Sequence, residues 1–215
     1  MANVKQQLDI PAIPYLGTSG PSYSQNVQNQ NNGLLRLFFA KLTNCVQSLT
    51  GPSGGKYLNI PYGAFQSTAD QTAASANTAY AMTLNTTDYA NGVSVASDSR
   101  ITVTDAGIWN LQWSGQFENN DTQIHDVRIW LKINGTVVTG STGYISIPNS
   151  HGGVHGHLIA GWNYFVSLNT NDYVELWWET DNTAVSIQHY AAAGNYPSTA
   201  SVIATMTFVS NLSTS

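Results

Sequence analysis

In GIWNLQWSGQF, residues 107–117, large apolar side chains recur at every second position from Trp109, with Gly115 the one gap, and the positions between them are neutral and polar. Trp109, Leu111, Trp113 and Phe117 point one way; Asn110, Gln112, Ser114 and Gln116 point the other. A period of two is the mark of a strand with one dry and one wet face. The same alternation returns in DVRIWLKING, residues 126–135, where Val127, Ile129, Leu131 and Ile133 form the inward set and Arg128, Trp130 and Lys132 the outward set. Asn134-Gly135 then supplies the dipeptide of a two-residue hairpin turn before Thr136 to Thr139. Working outward, the pattern predicts further strands at 64–68, 79–84, 100–104, 158–168, 173–179, 184–190 and 201–209, separated by turn signals. About ten short strands without intervening helices make residues 61–215 an all-β sandwich or barrel. No repeat of fixed period is present, which sets propellers and solenoids aside.

Residues 1–60 follow different physics. DIPAIPY, residues 9–15, carries two prolines that favour extended chain, and residues 17–33 are a run of Gly, Ser, Asn and Gln. Such a segment cannot build a core of its own and suits an arm that orders along a partner. One short amphipathic helix is expected next, over residues 34–49, with Asn31 and Asn32 as caps and Gly51-Pro52 as its stop. Leu35, Phe38, Leu42, Cys45 and Leu49 recur at 3-4-3-4 spacing and form one stripe, widened by Phe39 and Val46. That stripe must dock on its own domain, on another protein, or on copies of itself around a threefold axis. Residues 51–63 then read as a linker.

Charge separates the same two parts. Residues 1–60 hold four Lys/Arg and one Asp, whereas residues 61–215 hold three Lys/Arg and eleven Asp/Glu. The whole chain has a net charge of −5 and only 9% charged residues, and Asn, Thr, Ser and Gln make up about a third of it. Solubility therefore rests on neutral polar groups. With no basic run, a nucleic-acid partner is not expected. No apolar segment approaches the ~20 residues of a membrane-spanning helix, so membrane insertion is not expected either. The N-terminal stretch lacks a basic region followed by an apolar one, which points to synthesis in the cytoplasm without export. One cysteine, Cys45, excludes an intrachain disulfide and a cysteine-based zinc site.

No nucleophile elbow, zinc-protease helix, phosphate loop or dinucleotide fingerprint is present, so the sequence does not read as an enzyme and implies no cofactor. Asp172, Glu175, Glu179 and Asp181 cluster, but alternation sends Glu175 and Glu179 toward solvent. His151, His155 and His157 fall in HGGVHGH, and His125 precedes the second quoted strand. The Gly-rich context makes the first three an exposed loop, with no metal expected from one chain. A threefold axis bringing together one imidazole per chain is the competing form.

The order of motifs resembles the jelly roll of the tumour necrosis factor and complement globular-head superfamily. It rests on DAGIW (105–109), LKING (131–135), FVSLNTNDYVEL (165–176) and a small-residue apolar strand after Pro197-Ser198, and covers about residues 63–211. Asn171 stands where that family usually has Gly, a position Asn tolerates because it enters left-handed turns. The resemblance implies a jelly-roll β-sandwich and a homotrimer. Trp130, Tyr173 and Trp177 alternate with charged residues on outward faces and are the expected subunit contact; a sugar-stacking platform and a register error are the other readings. Stretches 85–99 and 141–157 are expected as apical loops. The N-terminal part, with its polar arm, LLRLFF helix and GGKYLNIPYGAF junction, resembles structural proteins of tailed bacteriophages. That implies a virion protein assembled in the host cytoplasm: a decoration or short fibre, attached to other virion proteins through residues 1–60. Leu35, Phe38, Phe39, Leu42 and Leu49 are its anchoring side chains, and a host-glycan adhesin is the alternative.

Overall fold

A computed structural model describes residues 10–18, 20–50 and 60–212. Residues 1–9 of the expected arm and 51–59 of the expected linker lie outside it. The chain divides into two compact units, Met1–Asn59 and Ile60–Ser215.

In the first unit, residues 10–18 run without regular structure and helix α1 spans Gln25–Thr50. It therefore starts some nine residues before the expected point, because its first turns, QNVQNQNNG, carry no apolar stripe by which a helix is read. Ser24 caps it: its carbonyl accepts from the Gln28 N–H at 3.1 Å and its hydroxyl faces the Val27 N–H at 3.5 Å. Asn31, expected as a cap, instead clamps the arm. Its amide oxygen accepts from the Gly17 N–H at 3.1 Å and its amide nitrogen donates to the Gly17 carbonyl at 2.9 Å.

The second unit is an antiparallel β-sandwich whose described residues form fourteen strands: β1 (Tyr62–Ser67), β2 (Gln71–Thr72), β3 (Tyr80–Ala81), β4 (Thr86–Asn91), β5 (Val93–Ala96), β6 (Arg100–Val103), β7 (Gly107–Asn119), β8 (His125–Ile133), β9 (Thr136–Val137), β10 (Gly143–Ile147), β11 (Gly156–Leu168), β12 (Tyr173–Thr180), β13 (Val185–Ile187) and β14 (Val202–Ser210). Sheet I runs β4-β1-β14-β7-β11, with β13 and β2 continuing beside the far end of β7. Sheet II runs β5-β6-β12-β8-β10, with β3 beside β12 and β9 beside β8. The chain passes back and forth between the sheets, so that long β7 and β14 are neighbours in one and β8 and β12 in the other. This is the jelly-roll architecture.

Alternation fills the space between the sheets as the quoted stretches require. Trp109, Leu111, Phe117, Val127, Ile129, Leu131 and Trp178 are all buried. Trp113 stacks on Trp162 with ring centroids 5.3 Å apart, and Gly143 makes room for them: a Cβ there would lie 2.4 Å from the Trp162 ring. The 134–135 hairpin has positive φ at both residues, 49° and 79°. Its Asn134 amide nitrogen donates to Asp172 at 2.7 Å and its amide oxygen accepts from the Tyr173 N–H at 3.0 Å, tying two turns together. Asn171 takes the left-handed conformation, φ 66°.

Stretches 85–99 and 141–157 are not simply loops. They hold β4, β5 and β10: β4 is polar, and the alternation of VSVA and GYISI is too short to stand out from its Ser- and Gly-rich surroundings. Glu175 is also not solvated. It is 5% exposed, accepts from the Ser99 hydroxyl at 2.7 Å and faces Arg100 Nε at 3.6 Å, because the edge of β6 folds over its side of β12.

Candidate assembly surfaces

The two outer faces of the sandwich differ in kind. All three Lys/Arg residues of 61–215 stand on sheet II, and each covers an aromatic ring: Arg100 over Tyr173 at 4.7 Å, Arg128 over Tyr144 at 5.1 Å and Lys132 over Trp177 at 3.3 Å to the ring centroid. Trp130 lies opposite Trp177 in register. Carboxylates complete the ladder, with Arg128 donating to Glu179 at 2.7 Å; that bond, then the Tyr144 hydroxyl, holds the guanidinium firmly protonated. Trp130, Tyr173 and Trp177 are thus brought to one face, as read from the sequence, but each is half-buried. Tyr173 and Trp177 already lie under cations of the same chain.

Sheet I has the opposite character. Across its outer face run three registered rows. The first is Phe165, Asn110, Thr207, Tyr62 and Asn91; the second is Asn163, Gln112, Thr205, Ala64 and Tyr89; the third is Gly161, Ser114, Ile203, Gln66 and Thr86. No residue in these rows is charged; the carboxylate beside them, Asp88 of the β4 bulge, accepts from the Gln66 amide at 2.7 Å at the edge of the face. Ile159 and Phe165 on β11, Ile203 on β14 and Tyr62 and Tyr89 on β1 and β4 are exposed, at 70%, 63%, 46%, 45% and 70%. Five strands at ~4.8 Å spacing put this neutral patch about 19 Å across. The signal was in the sequence, since the outward set Asn110, Gln112, Ser114 and Gln116 contains no charge, but only strand order shows that uncharged sets from five strands are neighbours.

The helix presents a comparable surface in its own unit. Leu35, Phe38, Leu42, Cys45 and Leu49 are half-buried, Leu37 and Phe39 are each 57% exposed, and among the described residues no helix side chain belongs to the buried core. Leu35, Leu42 and Leu49 are seven apart, with Phe38 and Cys45 interleaved, so the stripe is a two-position heptad seam.

The histidines divide into two groups. His125 is held between carboxylates, Nε2 2.8 Å from Asp121 and Nδ1 3.1 Å from Asp181. The hydrogen bond from His125, followed by the Thr122 N–H, keeps Asp121 below the usual carboxylate range. His155 faces Glu118 with Nδ1 2.8 Å from Oε1, and His157 Nδ1 lies 3.2 Å from the Tyr190 hydroxyl. Tyr190 donates to the other oxygen of Glu118; burial, then this carboxylate, pushes its phenol well above the ordinary range. Among the described residues no three His, Cys, Asp or Glu side chains are arranged to hold a metal ion.

No protein-family model matches the chain, and no curated protein is similar to it in sequence.

Proposed function

We propose that this chain is a structural protein that assembles as a homotrimer, displays its jelly roll outward and attaches through residues 1–60 to a larger particle, the virion of a tailed bacteriophage. The observation that carries the assembly is the neutral outer face of sheet I. A face without cations that exposes Phe165, Ile203, Tyr62 and Tyr89 together is better satisfied by another copy than by water. The heptad seam of α1 supports the same reading from the other unit, since copies of one helix cover a two-position stripe most simply by packing on each other. Three copies and the virion setting come from the resemblance of residues 63–211 and of the N-terminal part. The role is one of construction and display, without catalysis.

Light scattering of the full chain tests it. A mass about three times 23.2 kDa is expected, and Leu42→Asp, which puts a charge into the helix seam, weakens it. A monomer across the micromolar range overturns the proposal. Particles that still carry a protein truncated before Tyr62 would move the anchor from the N-terminal part to the jelly roll.

A further inference from the structure

Beyond β13 the chain forms a small hairpin in which Tyr190 bridges to Thr199 and Ala193 to Tyr196, turning at Gly194 with φ 58°. The Tyr190 hydroxyl bond to Glu118 fastens this hairpin to β7, and the His157 ring of β11 meets Tyr190 edge-on at 5.9 Å. Hairpin, β7 and β11 together line a groove of about 500 Å³. That size lies within the range of small-ligand sites, which combine apolar walls with a few placed polar groups.

The chemistry of the lining selects the ligand. Tyr196 is 59% exposed and offers an aromatic face, and Ile159, 70% exposed, offers aliphatic surface beside it. Among the described residues, the Gln116 amide and the Tyr196 hydroxyl make no hydrogen bond, and Thr199, whose hydroxyl oxygen accepts from the Tyr190 N–H at 3.2 Å, keeps its proton to donate. Among the described residues no Lys or Arg lines the groove, and the Glu118 carboxylate behind Tyr190 is already engaged by His155 and Tyr190. An anionic ligand would meet that carboxylate and find only the His157 ring, itself turned to the Tyr190 hydroxyl, opposite it. A flat apolar peptide would leave the free amide and hydroxyls unpaired at a cost.

We propose that this groove binds a neutral glycan through an N-acetylhexosamine unit. One face of the sugar ring lies on Tyr196, its hydroxyls meet Thr199 and the Tyr196 hydroxyl, and its acetamido group pairs with Gln116 while the methyl rests on Ile159. This goes beyond the assembly role and does not depend on the number of copies.

Saturation-transfer NMR and titration of the full-length protein with N,N′-diacetylchitobiose, with cellobiose as the sugar lacking acetamido groups, test it. Diacetylchitobiose binds and cellobiose binds more weakly; Tyr196→Ala weakens the former about tenfold, the scale of one aromatic stacking contact. Gln116→Leu, which leaves the hairpin untouched, abolishes the preference between the two sugars. Nitration of Tyr196, mapped by mass spectrometry, proceeds in the free protein and is suppressed by diacetylchitobiose. Absence of binding by both sugars at millimolar concentration overturns the proposal. So does protection of Tyr196 without sugar in an assembled sample, which means that a neighbouring copy fills the groove. A monomeric protein that binds diacetylchitobiose would overturn the assembly role and leave this site standing.

Discussion

Replacing Phe165 by Glu is the sharpest test of the sheet I face. Phe165 is 63% exposed in the single chain, so its removal costs the protomer little of its own core. Burying a whole Phe side chain contributes about 1.5–3 kcal/mol, and the exposed two thirds or so of this one is worth about 1–2 kcal/mol in a subunit contact. The carboxylate adds a second effect. Rows of Asn, Gln, Thr and Tyr contain no cation to pair with it, and an unpaired charge placed in a closed contact costs several kcal/mol more. Together about 4–6 kcal/mol is lost per contact, which raises the dissociation constant by three to four powers of ten. The assay is light scattering on a dilution series, with near-ultraviolet circular dichroism to show that the tryptophan core is intact. Phe165→Glu should be monomeric at micromolar concentration with an unchanged spectrum. Val137→Glu, a comparably exposed apolar residue on β9 of sheet II, should remain assembled. If Phe165→Glu assembles like the parent while Val137→Glu or Trp177→Glu dissociates it, the contact lies on sheet II and the argument from charge and exposure is wrong.

Further outcomes follow from single features of the fold. Glu175→Ala removes the acceptor of the buried Ser99 hydroxyl and the partner of Arg100, and should lower stability by about 1–3 kcal/mol in urea unfolding; an unchanged midpoint would mean that the pair is idle. Asn171→Ala should cost about 1 kcal/mol, while Asn171→Gly should cost nothing, because only the left-handed backbone is at stake. Asp121 and Asp172 have folded-state pKa values below those of free carboxylates, through His125 and Asn134 respectively, so their stabilisation is complete at neutral pH and is lost as pH falls through and below about 4. Melting temperature against pH should drop there, and Asp172→Asn should flatten the drop; a slope identical to the parent's would remove Asp172 from the account.

What could be read from the sequence was what a period of two encodes. The strands β7, β8, β11, β12 and β14 are long and apolar on one side, and their inward residues were legible one by one. Strands β4, β5 and β10 were not, because all three are short and edge-lying, TTDYAN is polar, and VSVA and GYISI carry only two inward apolar residues each; they gain their pairing from neighbours that only the fold supplies. Glu175 was missed for a related reason. Alternation gives the side of a sheet on which a residue stands, but not whether Ser99 and Arg100 will cover it. The same gap hid the hairpin that carries Tyr190 and Tyr196, since AAAGNYP has no periodicity and its meeting with Glu118 spans 72 residues of sequence.

The three aromatics of sheet II show how the same limit bears on assembly. In sequence, Trp130, Tyr173 and Trp177 each sit between charged residues, and an outward aromatic among charges looks like an interface. In space, strand pairing places Lys132 of β8 over Trp177 of β12 and Arg100 of β6 over Tyr173 of β12. Charges that flank an aromatic along one strand are thereby joined by charges that cap it from the next. On sheet I the intervening residues are Asn, Gln, Thr and Ser, which are too short to lie over Phe165 or Ile159, and no cation stands in those rows. With only three Lys/Arg in this unit, placing all of them on one sheet leaves the other with no means of covering its own apolar side chains. The scarcity of charge that first marked the composition is thus concentrated on one surface, and a second copy of the same neutral face, or a glycan at its end, satisfies that surface better than water does.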